Sequence, residues 1–141
     1  LSNLKALFDP IRQKEVIAQP EERIRIDFIH EMLRLGYPSA LIRVEVDLSQ
    51  STLLGKKAPN RRLDIVCYQK APEGFVPLLL VECKAGKLSQ KAEQQAVGYN
   101  YYLGSPFVCL VGEDEIKFGK DTLEKVDELP TYSELIQKQE I

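Results

Sequence analysis

The chain has 141 residues, of which 44% are apolar and 28% charged, with a formal net charge of −2. That length fits one domain whose core needs no disulfide or metal staple. The charge balance is near neutral, with its acidic excess in residues 120–141, which argues against purely electrostatic binding to nucleic acid while leaving room for a local basic groove.

Cys67, Cys83 and Cys109 each lie in an apolar, strand-like run, and none shares a metal-knuckle spacing with another. They read as small buried hydrophobes in a reducing compartment. There is no basic-then-apolar leader and no apolar run of membrane-spanning length. The expectation is a soluble cytoplasmic protein with no membrane partner. Leu1 stands where an initial Met would, which fits a fragment of a longer chain.

Residues 1–19 are a mixed N-terminal extension broken by Pro10, and Pro20-Glu21-Glu22 then opens a helix. Pro suits its first turn, and the acids suit the positive end of its dipole. Ile24, Phe28, Ile29, Met32 and Leu33 recur at helical spacing until Gly36-Tyr37-Pro38 stops the run. Residues 41–48 alternate apolar and charged, as a half-buried strand does. A polar loop over residues 49–61 leads to a second strand at 62–68, a turn at 71–74 and an almost wholly apolar third strand at 76–81. A second helix is predicted over 88–103 with Ser89 as its cap, then a buried strand at 107–111 and a short edge strand at 115–118. Residues 120–141 read as a loosely packed tail with a weak helical pattern at 132–136. The predicted fold is α/β, a mixed β-sheet flanked by helices in the order αβββαβ, with its core over about residues 20–119.

The two middle strands hold the candidate chemistry. A hairpin turning near Glu73 sets Asp64 opposite Glu82 at its open end, with Cβ atoms about 5 Å apart. The two-residue strand period puts Glu82 and Lys84 on one face and Cys83 on the other. Two carboxylates this close repel, and burial adds a desolvation cost. A divalent cation relieves both, and oxygen ligands suit Mg²⁺, with Mn²⁺ as substitute. Asp64, Glu82 and the backbone carbonyl of Cys83 are the candidate ligands. Lys84 is the candidate catalytic cation, placed to orient or deprotonate an attacking water or to stabilise charge on a phosphate. Glu-X-Lys alone is common at solvated strand ends; Asp64, the hairpin and the apolar run before Glu82 give it weight.

Asp64-Ile65-Val66 followed by Leu79-Leu80-Val81-Glu82-Cys83-Lys84 resembles the D…EXK signature of the PD-(D/E)XK nuclease superfamily. Gln95-Ala96-Val97-Gly98-Tyr99 resembles the Q-x-x-x-Y motif of its RecB-like branch. Pro20-Glu21-Glu22-Arg23 and Leu35-Gly36-Tyr37-Pro38 resemble the first helix of the nuclease domain of type I restriction enzyme R subunits. The resemblance implies a restriction-endonuclease-like core and a Mg²⁺-dependent deoxyribonuclease with Asp64 and Glu82 as metal ligands and Lys84 as catalytic lysine. Glu22 would be the supporting first-helix carboxylate, with Glu21 its neighbour in register, and Gln95 and Tyr99 would touch the active site and the DNA. Leu63 replaces the Pro of the superfamily's name. No Walker-type loop is present, so a helicase or translocase motor, or other restriction subunits, would come from elsewhere.

Lys56, Lys57, Arg61 and Arg62 precede Asp64 and are candidates to hold flanking phosphates; the plainer reading is a solvated basic loop. His30 reads as a surface residue. A DNA endonuclease, a nuclease-fold DNA-binding module without activity of its own, and an interaction domain with a structural ion pair at Glu82 all remain open here. Restriction, repair and mobile-element roles are not separated by the sequence.

Overall fold

The computed structural model describes residues 5–50 and 58–139. A two-stranded hairpin, β1 (Ala6–Asp9) and β2 (Lys14–Ile17), precedes helix α1 (Pro20–Arg34). The expected extension is therefore ordered over these strands. α1 begins as the sequence predicts, with Pro20 in its first turn beside Glu21 and Glu22, and buries Ile26, Phe28, Ile29 and Met32. It ends at Leu35 and Gly36, whose φ of 87° favours glycine.

Strands β3 (Ile42–Asp47), β4 (Arg62–Ala71) and β5 (Gly74–Cys83) form an antiparallel meander. Helix α2 (Gln90–Leu103) crosses over to β6 (Phe107–Val111), which pairs with β5 in parallel. Antiparallel β7 (Ile116–Gly119) and β8 (Leu123–Val126) complete a mixed six-stranded sheet in the order β3-β4-β5-β6-β7-β8. The Ser89 side chain caps α2 by accepting from Ala92 N–H at 3.1 Å, and Gly104 closes it in the left-handed region. Buried Asn100 exchanges hydrogen bonds of 2.8 and 2.9 Å with the Ser105 backbone, which fixes the turn into β6.

α1 and the short helix α3 (Tyr132–Lys138) cover one face of the sheet, where Phe28, Ile29, Met32 and Leu135 pack on Ile65, Cys67, Leu79 and Val81. α2 covers the other face, packing on Val66, Leu80, Val108 and Leu110. The three cysteines are free and buried, as expected. No helix among the described residues is long and apolar enough to cross a membrane.

The C-terminal segment departs from the expectation of a loose tail. Residues 123–126 extend the sheet, and Leu129 and Leu135 are fully buried in the α1-side core. Tyr37, itself buried, donates its hydroxyl to Pro130 O at 2.6 Å and sets its ring edge-on to Tyr132. Thr131 and Glu134 form a reciprocal capping box at the start of α3. The β7–β8 turn admits only glycine at 119, because a Cβ there would stand 2.0 Å from Thr122 O. Leu135→Ala is expected to cost about 2–5 kcal/mol in urea unfolding; a cost below 0.5 kcal/mol would show that α3 adds nothing to the core.

Candidate active site where the central strands part

β4 and β5 pair from the turn up to Ile65 and Val81 and then separate. Beyond that point β4 continues only along β3, and β5 only along β6. The backbone donors freed at the fork are taken up by side chains: Asp64 N–H donates to Glu82 Oε2 at 2.8 Å, and Cys83 N–H donates to Asp64 Oδ2 at 2.8 Å. Each carboxylate thus caps the opposite strand. Asp64 and Glu82 do meet, although the hairpin differs from the simple one expected. Its turn is shorter, with Ala71 opposite Gly74, and a bulge between Cys67 and Tyr68 restores the register at the fork.

A second irregularity aims Asp64. Glu45 has a φ of 55°, and the β3–β4 pairing skips the Glu45–Asp64 step. Val44 and Ile65 pack in the α1-side core, but Val46 and Leu63 pack in the α2-side core. Side chains two residues apart normally share a face, so the ribbon turns over at this step. Asp64 therefore stands at the rim and not within either layer.

The site is electrostatically loaded. Glu82 is 2% exposed. Burial, and then the charge of Asp64, push its carboxyl up to about 7, against the pull of Asp64 N–H and Arg61. Burial also raises Asp64; the Cys83 N–H, Arg25 and Arg61 oppose this, and Glu21 adds to it. Such shifts collect where charge is held for chemistry.

Glu22, expected to face the metal, is engaged elsewhere. Arg12 Nη2 donates to Glu22 Oε1 at 2.8 Å, and Arg25 Nε to the same oxygen at 2.9 Å. The helix carboxylate whose charge is felt at Asp64 is Glu21. Arg25, 4% exposed, also bonds Glu45 at 2.7 Å and so ties α1 to the irregular step of β3. Sequence reasoning missed Arg25 and Glu45; the one available signal was a charge on the buried face of an amphipathic helix. Arg25→Met is expected to cost about 1–3 kcal/mol, because Glu45 loses its partner and Glu22 keeps only Arg12; unfolding measurements showing no loss would make the network ornamental.

Lys84 follows β5 directly, with its N–H held by Val111 O at 2.8 Å. That backbone bond continues the strand direction, so Lys84 shares the side of Glu82. Its ammonium meets no acceptor among the described residues. Arg61, a phosphate-binding candidate, instead donates to Glu82 Oε1 at 2.9 Å and lies over the Tyr99 ring at 5.2 Å, while its Nε is buried without a partner. Arg62 and Gln95 are exposed, and His30 is a surface residue as expected. Lys56 and Lys57 lie outside the described residues.

Among the described residues no three His, Cys, Asp or Glu side chains gather around one point. A cation at the fork would rest on Asp64, Glu82, a backbone carbonyl such as that of Cys83, and water, a set that suits Mg²⁺ better than a caged metal. The donor chemistry fits. Burial raises both carboxyls and the charge of Asp64 raises Glu82 further, Asp64 Oδ1 accepts nothing among the described residues, and the guanidinium on Glu82 is itself incompletely satisfied.

Fold and site together define an α/β protein with a mixed sheet and an acidic fork at its parted central strands. The sequence family described as type I restriction enzyme R protein N terminus matches residues 20–130, and the chain belongs to that family. No curated protein sequence and no solved structure matches the chain significantly.

Proposed function

We propose that this chain is a metal-dependent DNA endonuclease domain of the PD-(D/E)XK type with a restriction-endonuclease-like core, serving a restriction-type system. The observation that carries the reading is the reciprocal capping of Asp64 and Glu82, which gathers two carboxylates, Glu82 buried and Asp64 half-buried, at the fork of the central strands. Membership of the R-protein N-terminal family supports a restriction context. Asp64, Glu82 and the Cys83 carbonyl hold Mg²⁺, or Mn²⁺ in its place. When bound, the cation supplies Lewis acidity and offsets charge at the scissile phosphate. Lys84 orients the attacking water and stabilises the negative charge on the phosphoryl oxygens as the water oxygen bonds to phosphorus and the bond to the leaving sugar oxygen breaks. Arg25 and Glu21 set the charge that Asp64 feels. Arg62, Lys56 and Lys57 hold flanking phosphates, with Gln95 and Tyr99 at the rim. A motor or further restriction subunits are the proposed partners, and the cytoplasm the proposed location.

A second reading, a DNA-binding module without activity of its own, is favoured by the Arg61–Glu82 ion pair, which partly neutralises the site without a cation. Incubation of supercoiled plasmid and of single-stranded DNA with Mg²⁺ or Mn²⁺, wild type beside Asp64→Asn, separates the two. Cleavage by wild type alone is expected. DNA binding without cleavage in either metal selects the module.

A further inference from the structure

Gly98 is an anomaly. It lies inside α2, where glycine is among the poorest residues for stability. Nothing in the described structure needs it: its φ is not positive, and a Cβ built there would meet no atom within 4 Å. Glycine with no reason among the described residues fits a place where something else approaches the helix backbone.

What surrounds Gly98 indicates the visitor. Gly98 lines an open hollow of about 470 Å³ with Pro59, Gln95, Tyr99, Tyr101 and Tyr102. Tyr101 is 58% exposed, far more than a large aromatic buried for stability. Its ring stands at right angles to that of Tyr102, with ring centroids 6.1 Å apart. Toward the N-terminal end of α2 the character changes. Lys91 is exposed and shares a helix face with Gln95, and exposed Lys87 lies in the loop just before Ser89. Ten residues of helix, from Lys91 to Tyr101, span about 15 Å. Cations at one end and an exposed aromatic ring at the other form the combination that holds unpaired strands, where lysines follow phosphates and rings stack on bases. Side-chain contacts link the hollow's wall to the acidic fork, since Tyr99 carries Arg61 on its ring and Arg61 holds Glu82.

We infer that the outer face of α2 from Lys91 to Tyr101 binds a single DNA strand, with an unpaired base stacked on Tyr101 over the backbone of Gly98. Duplex DNA offers its bases only edge-on and cannot fill the hollow in this way. The inference rests on the proposed nuclease reading and specifies its substrate, as DNA with an unpaired segment beside the cut. Gln95, at the lip, presents an amide that can pair with a base edge.

The test is fluorescence anisotropy in EDTA, with a labelled oligothymidylate, an abasic strand of equal length and a duplex. The proteins are wild type, Gly98→Ala, Tyr101→Ala and Tyr101→Phe. Wild type is expected to bind the base-bearing strand about ten-fold more tightly than either the abasic strand or the duplex. Tyr101→Ala and Gly98→Ala lose that preference, and Tyr101→Phe keeps it. Gly98→Ala at the same time melts about 2–4 °C higher. A purely structural role for Gly98 cannot give tighter folding and weaker binding together. Equal affinity of wild type for base-bearing and abasic strands, or an unchanged preference in the more stable Gly98→Ala protein, overturns the inference. Binding is read without divalent cation, so failure here leaves the cleavage test standing, and failure of cleavage leaves this preference measurable.

Discussion

Glu82→Gln is expected to raise the melting temperature of the metal-free protein at pH 8 and to abolish the proposed metal-dependent cleavage. Burial and the neighbouring Asp64 lift the Glu82 carboxyl to about 7, from an ordinary value of 4.5. Between those values the folded state binds more protons than the unfolded one, so stability is full below pH 4.5 and is lost as pH rises through 7. At pH 8 the ionised carboxylate therefore opposes folding, by about 1–3 kcal/mol on the usual conversion. Glutamine removes the charge and keeps an oxygen to accept Asp64 N–H. Its benefit should vanish at pH 4, where the wild-type carboxyl is already protonated. Thermal melts in EDTA at the two pH values check this, beside plasmid cleavage in Mn²⁺. A Gln variant less stable than wild type at pH 8 would mean that the Arg61–Glu82 pair is a structural tie, and the metal site would lose its physical motive.

Lys84→Ala is expected to leave Mn²⁺ affinity within about two-fold and to lower the cleavage rate by about 10²–10³-fold, the usual loss when one charge-stabilising donor is removed. The fold does not use the ammonium, which meets no acceptor among the described residues, and only the backbone of Lys84 is tied, to Val111. Titration calorimetry and single-turnover cleavage at saturating Mn²⁺ separate the two effects. Unchanged cleavage removes Lys84 from the chemistry; lost metal binding with normal melting would make it part of the ligand shell.

The site was legible in part. Asp64 opposite Glu82 follows from strand period and hairpin symmetry, and the structure brings the two together. The reason behind the expectation was incomplete, because the two-residue turn alone would have misaligned them and the bulge at Cys67 and Tyr68 corrects the register. A bulge leaves no mark in the apolar pattern of this strand, since its residues are buried on both faces. Glu22 and Glu21 are adjacent acids in a helix start and look alike in sequence. Their difference arises from Arg12 and Arg25, which claim Glu22 from ten residues before it and three residues after it. Arg61 likewise reads as a phosphate ligand, because its bond to Glu82 spans twenty-one positions and has no period.

The sequence by itself determined the order of the main elements. Pro20 in the first turn of α1, the cap at Ser89, the stops at Gly36 and Gly104, and the alternation of β3 are local signals that act within a few residues. Tertiary structure alone decided that residues 123–138 belong to the core. A four-residue edge strand shows no period and a seven-residue helix only the weak pattern at residues 132–136, and burial beside Tyr37 and Leu129 is what holds them to the core. It also decided the charge state of the fork. Desolvation, the Asp64–Glu82 repulsion and the Arg25 and Arg61 partners depend on how segments far apart in the chain come together, because the Coulomb energy is set by distance and by burial.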